Sequence, residues 1–291
     1  MTSYRPSRIY VIGVYLKRLV RWRRLSWPYL TVDAFARLAD VYVFPPRFIA
    51  KPPTDDEIRN AKVIFCPSDK LNDFLFIYKN FINPKVIISG NSDYEFHVTP
   101  ENIPNSVQML LLQNSFISDN KRIFTMPIGV ENFRFGVNGN PRLFKYSRIP
   151  KSARGRVLFG PFGATHPIRD AVKLEFRSIP SNWLYLHSRI KPRRYRKLIK
   201  YNFEYVVSVR GNGVDTHRLW ETLYRGRKAI VKNDSWLMSL PFIHPYVRTV
   251  DEWRIQEVKD SLNFGAQDFN PRDIPQLWMP YWEKMIKSFV N

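Results

Sequence analysis

Cysteine occurs once in 291 residues, as Cys66, so no disulfide can form within the chain. That excludes a disulfide-stapled scaffold and leads us to expect a reducing, cytoplasmic compartment. Cys66 closes the apolar run Val63 to Cys66 and reads as a small buried hydrophobe. No apolar stretch is long enough to span a bilayer. The short apolar run Ile9 to Leu16 precedes Lys17, Arg18, Arg21, Arg23 and Arg24, whereas a signal peptide carries its charge ahead of the apolar core. Internal repeats and low-complexity tracts are lacking too, which excludes a solenoid. Acidic residues are scarce, 25 Asp and Glu against 46 Lys and Arg, for a net charge of +21. Residues 1–150 carry 21 basic against 12 acidic residues and residues 151–291 carry 25 against 13, so this is not a basic tail on a neutral body. Such a chain expects an anionic partner: nucleic acid, anionic lipid or a phosphate-bearing small molecule.

What is present is core material. Hydrophobic residues make up 44% of the chain and aromatics 15%, which excludes a disordered protein. Short apolar runs bounded by Pro or Gly read as strands: Val41 to Phe44, Val63 to Cys66, Lys85 to Ser89, Arg156 to Gly160, Trp183 to His187, Phe203 to Val209 and Lys228 to Lys232. Helix-compatible stretches lie between them, at Thr31 to Ala39, Thr54 to Asn60, Asn72 to Tyr78, Pro167 to Phe176, Pro192 to Tyr201 and Thr216 to Tyr224. A first strand is expected over Arg8 to Val14 and a basic helix over Tyr15 to Leu25, near Trp22 and Trp27. That helix is either an ordinary solvated one or a peripheral contact with an anionic membrane. Alternating strands and helices predict an α/β fold with parallel sheets. The pattern lapses from Gly136 to Arg156, rich in Gly, Asn, Pro and basic residues, and this marks a connection between two halves. We therefore expect two Rossmann-like domains facing a cleft, over residues 1–145 and 146–291. A terminal helix over Pro275 to Val290 would carry Trp278, Tyr281, Trp282, Met285 and Ile286 on its apolar side.

The stretch from Phe203 to Lys232 carries the chemistry. It reads as a strand, a loop with Gly211, Asn212 and Gly213, a helix, a stop at Gly226 and a second strand. Open α/β sheets bind ligands at the carboxyl ends of their strands, where the loop from Arg210 to Asp215 falls. Its glycines let backbone approach a ligand, and a helix N-terminus offers free N–H groups to phosphate. Asp215 or Thr216 is the expected N-cap. His217, Arg218 and Glu221 share one helix face through their three- and four-residue spacings. A cation for a diphosphate and a carboxylate for ribose hydroxyls suit a nucleotide donor. The competing reading is a surface ion pair beside an ordinary turn.

The string Arg210-Gly211-Asn212-Gly213-Val214-Asp215-Thr216-His217-Arg218-Leu219-Trp220-Glu221, with Gly226 and Ala229-Ile230-Val231, resembles the C-terminal motif of exostosin-like glycosyltransferases of polysaccharide biosynthesis. Those families carry a Ser-Pro-Arg-Gly loop, an Arg-x-Trp-Glu helix and a Gly-x-x-Pro-Ile-Val strand. Here Val209 and Ala229 replace the two prolines, both backbone-shaping positions. Gly90-Asn91-Ser92-Asp93 and Pro127 to Asn132 look like further elements of the group. The resemblance implies a GT-B fold with two Rossmann-like domains. The nucleotide-sugar donor would lie on the C-terminal one, the glycan or glycoconjugate acceptor mainly on the other, and the terminal helix would cross back. It implies a donor site of Arg210, Gly211, Asn212, Gly213, Asp215, Thr216, His217, Arg218 and Glu221.

No Asp-x-Asp occurs, and His97, His166, His187, His217 and His244 show no ligand spacing, so neither a metal nor another cofactor is expected. Arg210 and Arg218 would then stabilise the leaving diphosphate. Inversion at the sugar carbon needs a base, for which Asp93 and then Glu131 are the candidates; retention needs none. Asp93 equally suits turn chemistry. Gly163, Thr165, His166 and Arg169, in or after the loop from Gly160 to His166, are further cleft candidates, as is Asn91. The run Arg189 to Lys200 holds seven basic residues, no acidic one and Tyr195. It is either a solvated helix face or a patch for membrane phospholipid or an acidic glycan. The alternatives to a transferase are an inactive relative that binds a glycan or protein, and a basic nucleic-acid binder, the latter disfavoured because no known reading module is present. A fucosyltransferase-like enzyme is the neighbouring alternative among transferases.

Overall fold

A computed structural model describes residues 26–45, 51–119, 121–135, 139–188, 190–264 and 267–290. The expected strand Arg8–Val14 and the basic helix Tyr15–Leu25 lie outside the described residues. Two parallel five-stranded sheets form the architecture. The first takes β1 (Val41–Tyr42), β2 (Val63–Pro67), β3 (Val86–Gly90), β4 (Met109–Gln113) and β5 (Ile123–Met126), in that spatial order. The second takes β6 (Val157–Phe159), β7 (Leu184–Tyr185), β8 (Tyr205–Val207), β9 (Lys228–Lys232) and β10 (Val247–Val250), ordered β7-β6-β8-β9-β10. The protein is thus α/β with two parallel sheets, an arrangement compatible with two Rossmann-like halves. In the second sheet the order reverses between β6 and β8, which opens a crevice at their carboxyl ends.

The strands follow from the pleat. In β2, Val63 and Phe65 enter one core while Ile64 and Cys66 enter another on the opposite face. Helices α1 (Val32–Ala36), α2 (Asp55–Asn60) and α3 (Leu71–Tyr78) accompany the first sheet. Thr54 and Glu57 cap α2 reciprocally: the Thr54 side chain accepts from Glu57 N–H at 3.3 Å and the Glu57 carboxylate from Thr54 N–H at 2.7 Å. Helices α4 (Ile168–Glu175), α5 (Pro192–Asn202), α6 (His217–Tyr224), α7 (Ser235–Met238) and α8 (Ile255–Leu262) belong to the second sheet. Cys66 is fully buried, and burial pushes its thiol well above the ordinary range.

The largest core is shared by both halves. It runs from Phe35, Phe65 and Ile88 through Trp220, Leu223 and Tyr224 of α6 to Trp282 and Ile286 of the last helix, α9 (Met279–Val290). Tyr224 marks the junction. Its buried hydroxyl accepts from Leu30 N–H at 2.9 Å and donates to the Leu277 carbonyl at 2.5 Å. Helix α9 packs on β3, and Trp282 meets Phe35 edge to face at 5.7 Å. The terminal helix starts at Met279, not Pro275, because residues 275–277 close a 3-10 turn; Pro280 is tolerated in the first turn of α9. The connection between the sheets runs from residue 127 to 156 and is partly interior: Leu143, Phe144 and Ala153 are buried.

Candidate functional site

Sequence places two loops at the reversal point of the second sheet. The loop after β6 contributes Pro161, Gly163 and Thr165, and the loop after β8 contributes Gly211, Asn212, Gly213, Asp215 and Thr216. Between them and the first half lies an open cleft of about 620 Å³. It gathers Asp93, Gly163, Thr165, Arg169, Gly211, Asn212, Gly213, Asp215, Thr216, His217, Arg218 and Glu221 from the expected set. Arg210, His166, Asn91 and Glu131 do not line it. Arg210 and His166 line a smaller cavity of about 230 Å³ beside Trp236 and Trp253.

Helix α6 supplies one wall. Arg218 donates through Nη2 to the Pro161 carbonyl, and its guanidinium lies 5.1 Å from the Phe162 ring and 5.9 Å from the Tyr195 ring. Its Nη1 is buried without a hydrogen-bond partner. The same holds for Arg225 Nε and the Tyr195 hydroxyl, and all three residues line the cleft. Arg225 Nη1 donates to the Glu221 carbonyl at 2.6 Å and lies 3.5 Å from its carboxylate. All three atoms are shut off from solvent, and an unpartnered buried donor costs free energy.

Arg169 shapes the loop. It donates to the carbonyls of Arg210 at 2.7 Å, Val209 at 3.2 Å and Gly163 at 3.3 Å. Burial, with the charge of Arg218 beside it, lowers its pKa to about 10. His166 accepts Ile168 N–H at 3.2 Å at the start of α4, and burial, then Arg210, lowers its pKa.

The first half closes the other side. Asn212 donates to the Asp93 carboxylate at 3.1 Å, and Arg210 pairs with Glu95. His217 Nδ1 meets the Gly129 carbonyl at 2.8 Å, while Nε2 lies 3.8 Å from Glu131. Gly129 has φ of +68° and sits where a Cβ would fall 2.1 Å from the Leu30 carbonyl oxygen, so only glycine fits. Asp215 is buried: Oδ2 accepts Ile128 N–H at 2.8 Å and Oδ1 the Trp220 indole N–H at 2.7 Å. Burial pushes its carboxyl up to about 7. Those bonds make Asp215 a clamp between the halves. The helix N-cap position falls to Thr216, whose hydroxyl is engaged with Ser208 at 2.7 Å, so no side chain caps α6. Asn91, in the left-handed region with φ of +61°, donates to the Tyr42 hydroxyl at 2.8 Å and accepts from Arg134 at 3.1 Å, within the first half.

Among polar residues, Glu95, Asn114, Arg225 and Tyr195 as a cleft residue escaped the sequence reading of the site. Arg225 follows Glu221 by four positions on α6, a spacing that could have flagged it. Asn114 gave no local signal, since its partners are more than twenty residues away in sequence. Among the described residues, no group of three His, Cys, Asp or Glu is placed to hold a metal ion, and no helix is long and apolar enough to cross a membrane.

Fold and cleft together define an α/β protein with two parallel sheets and a cleft lined by Arg169, Arg218 and Arg225 at a strand-order reversal. The chain matches no family model, and no curated protein matches it.

Proposed function

We propose that this chain is a glycosyltransferase of GT-B type that moves a sugar from a nucleotide-sugar donor to a glycan or glycoconjugate acceptor without a metal. The observation that carries the reading is the set of three guanidinium groups, of Arg169, Arg218 and Arg225, that line one cleft with the Gly211–Gly213 loop. A diphosphate satisfies such a set, and its negative charge grows as the sugar leaves, so the cations bind the transition state more strongly than the ground state. The uncapped first turn of α6 adds backbone N–H groups to the same wall. Glu221, half-buried beside Arg225, accepts ribose hydroxyls in this reading. Asp93 stands on the opposite rim, where an acceptor hydroxyl would enter; it or Glu131 serves as base if the sugar carbon inverts.

The test is a thermal-shift screen of the intact protein against UDP, GDP, ADP, CMP and their sugars. At a hundred times its dissociation constant a ligand stabilises the fold by about 2.7 kcal/mol. A selective shift by one nucleotide fixes the donor class. Cooperative melting that no nucleotide shifts refutes the reading and favours an inactive glycan binder.

A further inference from the structure

His217 is held by the first half at one end of its ring. Nδ1 lies 2.8 Å from the Gly129 carbonyl oxygen. A carbonyl only accepts, so Nδ1 carries a proton, and in the neutral imidazole Nε2 is left with a lone pair. The carbonyl is itself fixed. Gly129 bridges Thr31 antiparallel, and Val130 N–H donates to the Leu30 carbonyl at 2.9 Å. A Cβ at Gly129 would fall 2.1 Å from that same Leu30 oxygen. His217 is also the first residue of α6, so the helix sets its backbone. One immobile carbonyl thus selects the tautomer of the ring.

Nε2 makes no hydrogen bond among the described residues, and the side chain is 31% exposed where His217 lines the cleft. Glu131 Oε2 stands 3.8 Å from Nε2, too far for a hydrogen bond and near enough to pair with a charge. Its other oxygen, Oε1, accepts Asn132 N–H at 2.8 Å, which fixes the carboxylate. The titratable groups around the ring are Glu131, from the first half, and Asp215, from the loop before α6. Asp93, the other candidate base, is an exposed carboxylate that already accepts from Asn212 at 3.1 Å. Of the two side-chain types, an imidazole is the stronger base.

We propose that His217 is the catalytic base of the cleft: Nε2 takes the proton of the acceptor hydroxyl, and Glu131 is a positioning residue that pairs with the imidazolium so formed. The proposal rests on the transferase reading and moves the role of base from Asp93 to His217. As the proton passes to Nε2, the hydroxyl oxygen attacks the anomeric carbon. The bond from that carbon to the diphosphate oxygen breaks, and its electron pair leaves with the diphosphate. The carbon is attacked opposite the leaving group and inverts. The imidazolium then returns its proton to water.

Water serves as the acceptor in the test. Release of nucleoside diphosphate by the full chain is followed with UDP-glucose, UDP-N-acetylglucosamine, GDP-mannose and ADP-glucose, whose sugars are all α-linked. His217→Asn is the main variant, because its amide still donates to the Gly129 carbonyl and offers no base. His217→Gln replaces it should the first variant melt early. The expected result is a fall in kcat of about a hundredfold or more, with nucleoside diphosphate binding and melting unchanged. The parent's kcat rises with pH along a limb that His217→Asn lacks. Glu131→Gln keeps that limb and lowers kcat less than His217→Asn does, at unchanged KM. Proton NMR of the parent reaction shows the β sugar released first. The proposal is overturned if His217→Asn turns over within about threefold of the parent, if the α sugar appears first, or if Asp93→Asn loses as much kcat as His217→Asn. Nucleotide binding without any turnover by the parent also overturns it, and in each of these cases the donor site stands. If no nucleotide binds, the transferase reading itself fails and takes the proposal with it.

Discussion

Gly213→Ala tests how the two halves are held together. A Cβ at this position falls 2.6 Å from Asn114 Nδ2, 2.8 Å from Oδ1 and 2.9 Å from Cγ. The obstacle is thus one side chain, and it cannot swing away, because Asn114 is fully buried. Its amide oxygen accepts Asp215 N–H at 3.1 Å, and its nitrogen donates to the Ser92 carbonyl at 3.4 Å. Displacing it costs about 1–3 kcal/mol of overpacking. Losing the bond to Asp215 N–H adds about 1 kcal/mol. The expected destabilisation is about 2–4 kcal/mol, read as a lowered urea midpoint at unchanged slope. Asn114→Gly clears all three obstructing atoms and keeps a backbone conformation of φ +53° that glycine accepts. In that background Gly213→Ala should cost almost nothing, so the double-mutant cycle is strongly non-additive. Additive costs would refute the reasoning and place the effect of Gly213 in its own backbone.

Arg218→Ala should weaken nucleoside diphosphate binding roughly ten- to a hundredfold, the worth of a charge-assisted hydrogen bond, and leave cooperative melting intact; unchanged titration calorimetry would remove Arg218 from the donor site. Asp268 is held down to about 2 by its hydrogen bond to Arg154, with Lys228 adding to it. Because this folded-state pKa is depressed, the associated stability is present above the ordinary carboxylate value near 4 and is lost as pH falls towards 2. Asp268→Asn should therefore flatten the melting-temperature profile between about pH 2 and 4, and a profile identical to the parent's would contradict the pairing. Glu95→Gln releases Arg210 from its ion pair and should tighten nucleotide binding several-fold if that cation reaches the diphosphate; unchanged affinity assigns Arg210 to joining the halves alone.

Periodicity and breakers made much of the second half readable. The run Phe203 to Val209, the glycine loop and the stop at Gly226 correspond to β8, the cleft loop and the end of α6. Strands β4 and β5 went unread for a topological reason. Among the described residues, no α-helix lies between β3 and β4 or between β4 and β5, so a rule that seeks strands separated by helices passes over them. Strand β10 follows a 3-10 segment containing Pro241 and Pro245, where breakers disguise its approach. The start of the α6 wall was legible because His217, Arg218 and Glu221 lie within about one helix turn of each other, while Arg225 at the far end of the helix was missed. The opposite side of the cleft was not legible, since Glu95 and Asn114 reach Arg210 and Asp215 from more than a hundred residues away.

The residues of the 210–217 loop show how one string divides its side chains between joining the halves and lining the cleft. Asp215 and His217 stand in a string that suggests ligand contact. Yet the Asp215 carboxylate is spent on Ile128 and Trp220, and His217 Nδ1 on Gly129. Arg218 and Glu221, one turn on, line the cleft. A loop that must hold two halves together and also present groups to a ligand divides its side chains between the tasks. Burial makes the division: a carboxylate with both oxygens bonded inside the protein has little left to offer a ligand, whereas a buried guanidinium nitrogen with no partner has lost its water and gained nothing for it. The cations that line the cleft for an anionic ligand are thus Arg169, Arg218 and Arg225, rather than the aspartate and histidine that make the string conspicuous.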